Sequence, residues 1–307
     1  MDNYKQTFLI FFSILIFLII FFLNSCAIKI QRGQIQYDDD VEITSNRGII
    51  VKNIVNFSHK SNKIGKYTAI IIGIDTYNDA RIPKLKAAVK DAEAISAILY
   101  SKYNFNDILM LKNHEATRFS IDMAFRKKTL SLTANDNLLI YYAGHGDIDR
   151  VLGGGWWLPY DAVADDPSTY IDNAIINRYI KAINARHVLI ISDSCYSGTL
   201  FGETRTLPNI IISDKFYLDL YNEKSRWGMT SGNKSPVIDE SSYGHSIFTY
   251  HLLKKLKDNK KLYITPLEIY NDIGHIVRNN SEQMPLCRPL LYSGDQGGEF
   301  IFLTGQS

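Results

Sequence analysis

Cysteine is scarce in this chain, three in 307 residues, so a disulfide framework has no material to form from. Charge of one sign is scarce too. The formal net charge is +2, and no basic stripe interrupts the pattern, which excludes a polyanion as the implied partner and argues against nucleic-acid binding. There is no internal repeat, and no low-complexity tract beyond the first residues. No set of four Cys and His residues at short spacing exists for a structural zinc. Only one long apolar run occurs, Phe8 to Leu23, and it is shorter than the roughly 20 residues of a spanning helix.

The length suits one large domain or two small ones, and the mix of apolar and charged residues is ordinary for a globular protein. Residues 1–25 read as a signal or membrane anchor. Residues 26–65 read as a polar tether carrying one strand at Gly48 to Phe57. Residues 66–307 read as the folded domain. There, apolar β-branched runs at Tyr67 to Ile74, Ile108 to Leu111, the stretch before His145 and His187 to Ser192 predict buried strands. Helices are predicted at Lys86 to Tyr100, Thr117 to Leu130, Asp172 to Ile183, Ser246 to Lys257 and Pro266 to Val277. Thr117 and Thr265 are the candidate caps, and Pro266 occupies a first helical position. A glycine turn at Gly153 to Gly155 leads into a short hairpin strand at Trp156 to Tyr160. Short strands follow at Arg226 to Ser231 and Gly298 to Leu303, and Leu200 to Ser225 reads as the least regular stretch. The strand–helix alternation predicts an α/β sandwich with a mostly parallel sheet.

Two strands end in chemically capable residues. One is Asp136-Asn-Leu-Leu-Ile-Tyr-Tyr-Ala-Gly-His145-Gly146. The other is Val188-Leu-Ile-Ile-Ser-Asp-Ser-Cys195-Tyr-Ser-Gly198. The carboxyl ends of strands in open α/β sheets are where ligands bind. A histidine and a thiol at two such ends supply a base and a nucleophile. A histidine flanked by glycines has little core to pack in, so a purely structural role fits it poorly.

Those two motifs resemble the catalytic signatures of the caspase-like cysteine peptidases, with the metacaspase and bacterial caspase-like (orthocaspase) branch of the C14 peptidases fitting best. Trp157-Leu-Pro-Tyr-Asp161 and Tyr243-Gly-His-Ser-Ile-Phe-Thr249 extend the resemblance, which spans Lys66 to Leu303; Tyr196 departs from the usual histidine. It implies a caspase-hemoglobinase-like three-layer sandwich with a mostly parallel six-stranded sheet and helices on both faces. It implies a cysteine endopeptidase in which His145 and Cys195 form the dyad and the backbone N–H groups of Gly146 and Cys195 form the oxyanion hole. Such donors contribute about 2.7–4 kcal/mol each in the transition state.

By the same resemblance, Asp193 and Asp91 line the pocket for the residue before the cut, and two carboxylates there favour Arg or Lys. Trp227 and Ser231 fall where the family places substrate-groove residues; Trp227 fits ordinary core equally well. Asp161 and Asp172 match two calcium positions of some metacaspases, but Asn173 and Gly202 stand where further acids are found. Calcium wants six to eight oxygens, so no cofactor is expected and calcium is doubtful. The rival readings are a catalytically silent interaction module and a peptidase specific for Asp or Asn. Arg205, Lys215 and Lys224 in the irregular stretch are candidate sites of self-cleavage.

Leu23-Asn-Ser-Cys26 resembles a bacterial lipobox, which implies cleavage before Cys26 and lipid on its thiol; an uncleaved anchor is the alternative. Either places the domain on a membrane of the bacterial envelope, periplasmic or outer-membrane, since Ala27 follows the cysteine. The partners expected are a protein substrate and the membrane. Cys287, among prolines and apolar residues, is expected to be a small buried hydrophobe.

Overall fold

The computed structural model describes residues 64–149, 153–194, 200, 214–232 and 244–305. The expected strand at Gly48 to Phe57 lies outside them. Three strands form the centre: β1 (Tyr67–Gly73), β3 (Asn137–Ala143) and β7 (His187–Asp193), each buried along its whole length. Their near-continuous apolar runs are what a parallel strand covered on both faces requires. With β2 (Phe105–Lys112), β8 (Ser225–Thr230) and β10 (Leu286–Pro289) they form a six-stranded sheet in the order β10-β8-β7-β3-β1-β2. Only β10 runs antiparallel.

Successive side chains of a strand point to opposite faces, and the core divides accordingly. Ile70, Ile72, Leu138 and Ile140 pack with Ile121 and Phe125 of α2 (Arg118–Ser131) and Ile176 and Ile180 of α3 (Asn173–Ala182). Ala69, Ile71, Leu139 and Tyr141 pack with residues of α1 (Ala88–Lys102), α5 (Ile247–Asp258) and α6 (Pro266–Asn280). This is the three-layer α/β sandwich expected.

Local chemistry sets the helix starts. Thr117 accepts from the Ser120 N–H, and Thr265 forms a reciprocal capping box with Glu268 ahead of Pro266. Each such cap stabilises its helix by about 1 kcal/mol. Beside the last cap, buried Glu299 accepts the Leu267 N–H at 2.9 Å.

Three expectations are corrected. The irregular stretch contains a helix, α4 (Asp214–Asn222), with Tyr217 and Tyr221 buried on one side. The closing strand is only β11 (Phe302–Leu303), and it pairs with β9 (Tyr263–Ile264) in a separate two-stranded sheet. The hairpin strand is shorter than predicted: β5 (Gly155–Trp157) lies between β4 (Gly146–Ile148) and β6 (Ile171–Asp172).

At the amino ends of β7 and β8 the sheet is bolted together by two buried side chains. His187 binds Ser225 Oγ through Nδ1 (2.8 Å) and the Tyr221 carbonyl through Nε2 (2.9 Å). The Arg226 guanidinium donates to the carbonyls of Ile180, Ile183, Ala185, Arg186 and Ser225 at 2.7–3.1 Å.

Candidate active site

The central strands end level. Gly73 of β1 and Asp193 of β7 both stand opposite Ala143 of β3. His145 lies two residues beyond Ala143, and Cys195 two residues beyond Asp193 in sequence. Cys195 lies outside the described residues, which reach Ser194 on this strand.

The His145 backbone is clamped by two phenols. Its N–H donates to the Tyr77 hydroxyl (2.7 Å), and its carbonyl accepts from the Tyr142 hydroxyl (2.6 Å). A Cβ at Gly144 would lie 2.8 Å from the Tyr142 hydroxyl and 3.2 Å from that of Tyr77, so the clamp requires a glycine there. The ring sits 5.3 Å from that of Tyr77, with Nε2 2.8 Å from the Pro83 carbonyl. A carbonyl only accepts, so in neutral His145 the hydrogen is on Nε2 and the lone pair of Nδ1 is available as a base.

A second link joins this turn to β7. Tyr142 stacks on Trp157 with centroids 4.1 Å apart and planes 3° from parallel. The Trp157 N–H donates to Ser192 Oγ (3.2 Å), which contacts Ser194 Oγ (2.9 Å), the residue before Cys195. One aromatic pair thus braces both strand ends.

The two pocket candidates come together at the start of α5. Asp193 accepts from Ser246 Oγ (2.5 Å) and Thr249 Oγ1 (2.7 Å). Asp91 accepts from the Ser246 N–H (3.1 Å) and faces His245 Nδ1 at 2.5 Å. Both carboxylates are buried, at 1% exposure for Asp91 and 5% for Asp193. Burial, and secondly the charges of Asp91 and Asp193, push the Tyr141 phenol well above its usual range; its hydroxyl is 2.7 Å from Thr249 Oγ1. The pair was legible from the motifs. The residues that hold it, His245, Ser246 and Thr249, were not assigned, because their role depends on α5 packing beside α1 and β7.

The remaining candidates fare differently. Trp227 is corrected: it is a core residue, 4% exposed, packed with Leu189 and Met229, with its indole N–H on the Gly298 carbonyl at 2.8 Å. Ser231 is fully buried just past the end of β8, and its N–H donates to the Ser192 carbonyl (3.1 Å). Its hydroxyl and that of Thr230 meet no hydrogen-bond partner among the described residues. Gly146 opens β4 opposite Trp157. Asp161 accepts the Arg118 N–H (2.8 Å), and Asp172 caps α3 through the Ala174 N–H (2.7 Å). Both carboxylates accept helix-start N–H groups, and no cluster of three or more His, Cys, Asp or Glu positioned for a metal occurs among the described residues. Cys287 is a free thiol on β10 opposite Met229, and burial pushes its pKa well above the usual range. Cys26 lies outside the described residues.

Comparison with known proteins points the same way. The caspase domain of the C14 peptidases matches residues 66–291. Metacaspase-1 of Arabidopsis thaliana is 30% identical over 152 residues, 44% of this chain and 40% of that protein. Metacaspase-1 of Meyerozyma guilliermondii is 27% identical over 153 residues, 45% of this chain and 37% of that one. The match therefore spans well under half the length of either relative. Among solved structures, caspase-1 of Spodoptera frugiperda superposes with a TM-score of 0.55 at 13% identity, over 80% of this chain and 92% of that one. A Geobacter sulfurreducens protein gives 0.51 at 18% identity, over 76% and 99%. These two likenesses speak to the fold.

Proposed function

The chain belongs to the caspase-domain family of C14 peptidases, and from that premise we propose that it is a cysteine endopeptidase cleaving after Arg or Lys. One observation carries the specificity: Asp91 and Asp193, from different layers of the fold, converge on the single residue Ser246. Two carboxylates held this close, beside the strand ends that lead to His145 and Cys195, make a site that a guanidinium or ammonium satisfies and an acidic side chain does not.

In the proposed reaction, His145 Nδ1 takes the Cys195 proton and the thiolate adds to the scissile carbonyl. The N–H groups of Gly146 and Cys195 receive the developing oxyanion. The imidazolium then protonates the departing amine, leaving a thioester that water hydrolyses with His145 again as base. The phenol clamp on the His145 backbone and the hydrogen bond from Nε2–H to Pro83 keep the ring from turning away.

The test is a fluorogenic peptide panel with Arg, Lys, Asp or Asn before the leaving group, run with Cys195→Ala as control and with calcium added or chelated. Cysteine-dependent cleavage after Arg or Lys supports the reading. Cleavage after Asp or Asn retains the dyad and overturns the pocket. No cleavage by a folded protein favours the silent module. We also propose that Cys26 carries lipid and tethers the domain to a bacterial membrane. Metabolic labelling with a fatty acid, lost in Cys26→Ala, is the expected result.

A further inference from the structure

The Asp91 carboxylate already has an occupant. His245 Nδ1 lies 2.5 Å from its Oδ1, while the Ser246 N–H serves Oδ2. At that distance from a carboxylate, Nδ1 must carry the hydrogen. The imidazole is the more exposed partner, 19% against 1% for Asp91, so an incoming cation meets it first. His245 reaches this position from Gly244, which has φ +73° and where a Cβ would fall 2.6 Å from Lys90 Nζ. Only glycine fits that turn without displacing the lysine.

We infer that His245 is a specificity-determining residue, a resident stand-in for the substrate's basic side chain on Asp91 that the substrate must displace. The inference rests on the proposed reading of Asp91 as a pocket residue. It follows from what a buried carboxylate needs. Left without a donor or cation it is costly, so the free protein supplies one from its own chain, and binding becomes an exchange of one cationic or donating group for another.

The exchange depends on pH. Among the described residues, the titratable groups around His245 include Lys90 and Asp91 on α1, Asp193 on β7 reached through Ser246, Tyr141 on β3 beyond Thr249, and Tyr250, Lys254, Lys257 and Asp258 on α5. Burial first and Lys90 second lower the imidazole's proton affinity; the Asp91 carboxylate raises it. Lys254 is itself paired with Asp258 at 3.0 Å. A protonated imidazole is held by charge as well as by the hydrogen bond. A neutral one yields more easily, so a basic substrate binds better as pH rises.

The experiment measures KM and kcat for an Arg peptide with the full chain from pH 5.5 to 8.5. In the wild type KM is expected to fall several-fold from the acid end of this range to the neutral part and then level off, because burial and Lys90 place the imidazole's titration toward its acid end. In His245→Gln, which keeps a donor but no titrating charge, KM should stay flat. A His245→Gln enzyme whose KM follows the wild-type curve overturns the inference. An NMR titration of His245 in Cys195→Ala separates this failure from that of the wider reading. Asp91→Asn in that background should lower the imidazole pKa by about one unit. An unchanged titration overturns the role of His245 alone. A normal shift with no cleavage after Arg or Lys overturns the pocket assignment, and the substrate role of His245 with it.

Discussion

At the amino ends of β7 and β8, both ring nitrogens of His187 are bound and the Arg226 guanidinium meets five carbonyls. At the carboxyl ends of the same strands, the Thr230 and Ser231 hydroxyls are buried with no hydrogen-bond partner among the described residues, and His145 is only half-buried. The side chains are of similar kinds and the strands are shared, yet one end closes its hydrogen bonding and the other leaves it open. An unsatisfied buried polar group costs about 1–3 kcal/mol. Asn137 Oδ1, at the amino end of β3, carries the same cost among the described residues, so what sets the carboxyl ends of β7 and β8 apart is that the cost falls beside the proposed dyad. Stability should therefore respond to changes at the amino ends and activity to changes at the carboxyl ends.

The sharpest attempt to break this contrast is replacement of the dyad. Cys195→Ala and His145→Ala should each lower kcat by about a thousandfold or more while moving the melting temperature little. A large loss of thermal stability measured by calorimetry would show the two ends to be alike after all. Next is Arg226→Met, which leaves five carbonyls without their donor. Its urea midpoint should report a loss of about 3–5 kcal/mol, with kcat/KM of the remaining folded enzyme unchanged; a loss under about 1 kcal/mol would remove the contrast.

The pH dependence of stability sharpens the comparison further. Burial lowers the His187 pKa from 6.5 to about 3, so between those values the unfolded chain binds more protons and stability falls with acid. Burial raises the Glu299 carboxyl from 4.5 to about 7, so its contribution is full below 4.5 and is lost as pH rises through 7. Between pH 4.5 and 6.5 the two slopes oppose each other, each about 1.4 kcal/mol per pH unit. Denaturant titrations should find His187→Gln losing stability as pH rises across that window and Glu299→Gln losing it as pH falls. Parallel slopes in the two variants would refute the assignment. The smallest effect is Tyr142→Phe, which removes the donor to the His145 carbonyl. A loss of about 0.5–1.5 kcal/mol of stability is expected, with a several-fold drop in kcat read in the same peptide assay.

The sheet was legible because its central strands are unbroken runs of Ile, Leu and Tyr, and five helix starts were legible from spacing and caps such as Thr117 and Thr265. The edge strand β10 was missed. Leu286-Cys-Arg-Pro289 has no alternation and ends in proline, and it becomes a strand only because β8 offers it a partner. Helix α4 was hidden by mixed charge, since its burial depends on two tyrosines rather than an aliphatic stripe. Within the site, Asp91 and Asp193 could be read from motifs. Their shared contact on Ser246 could not, because residues 91, 193 and 246 are adjacent only after α1 and α5 have packed side by side on one face of the sheet. Trp227 was equally at home in groove or core by sequence, and the Gly298 carbonyl that holds its N–H decides for core.

The bolt formed by Arg226 has a further consequence for residues 195–213, the chain just beyond β7. β7 and β8 pair at six positions, from His187 with Ser225 to Ser192 with Thr230, and the guanidinium ties β8 to the turn that feeds β7. Noncovalent joints therefore hold the two strands together without help from the peptide that links them. A break in that peptide, after Arg205 for example, would sever the chain but not the sheet, and the two fragments would behave as subunits of one folded body.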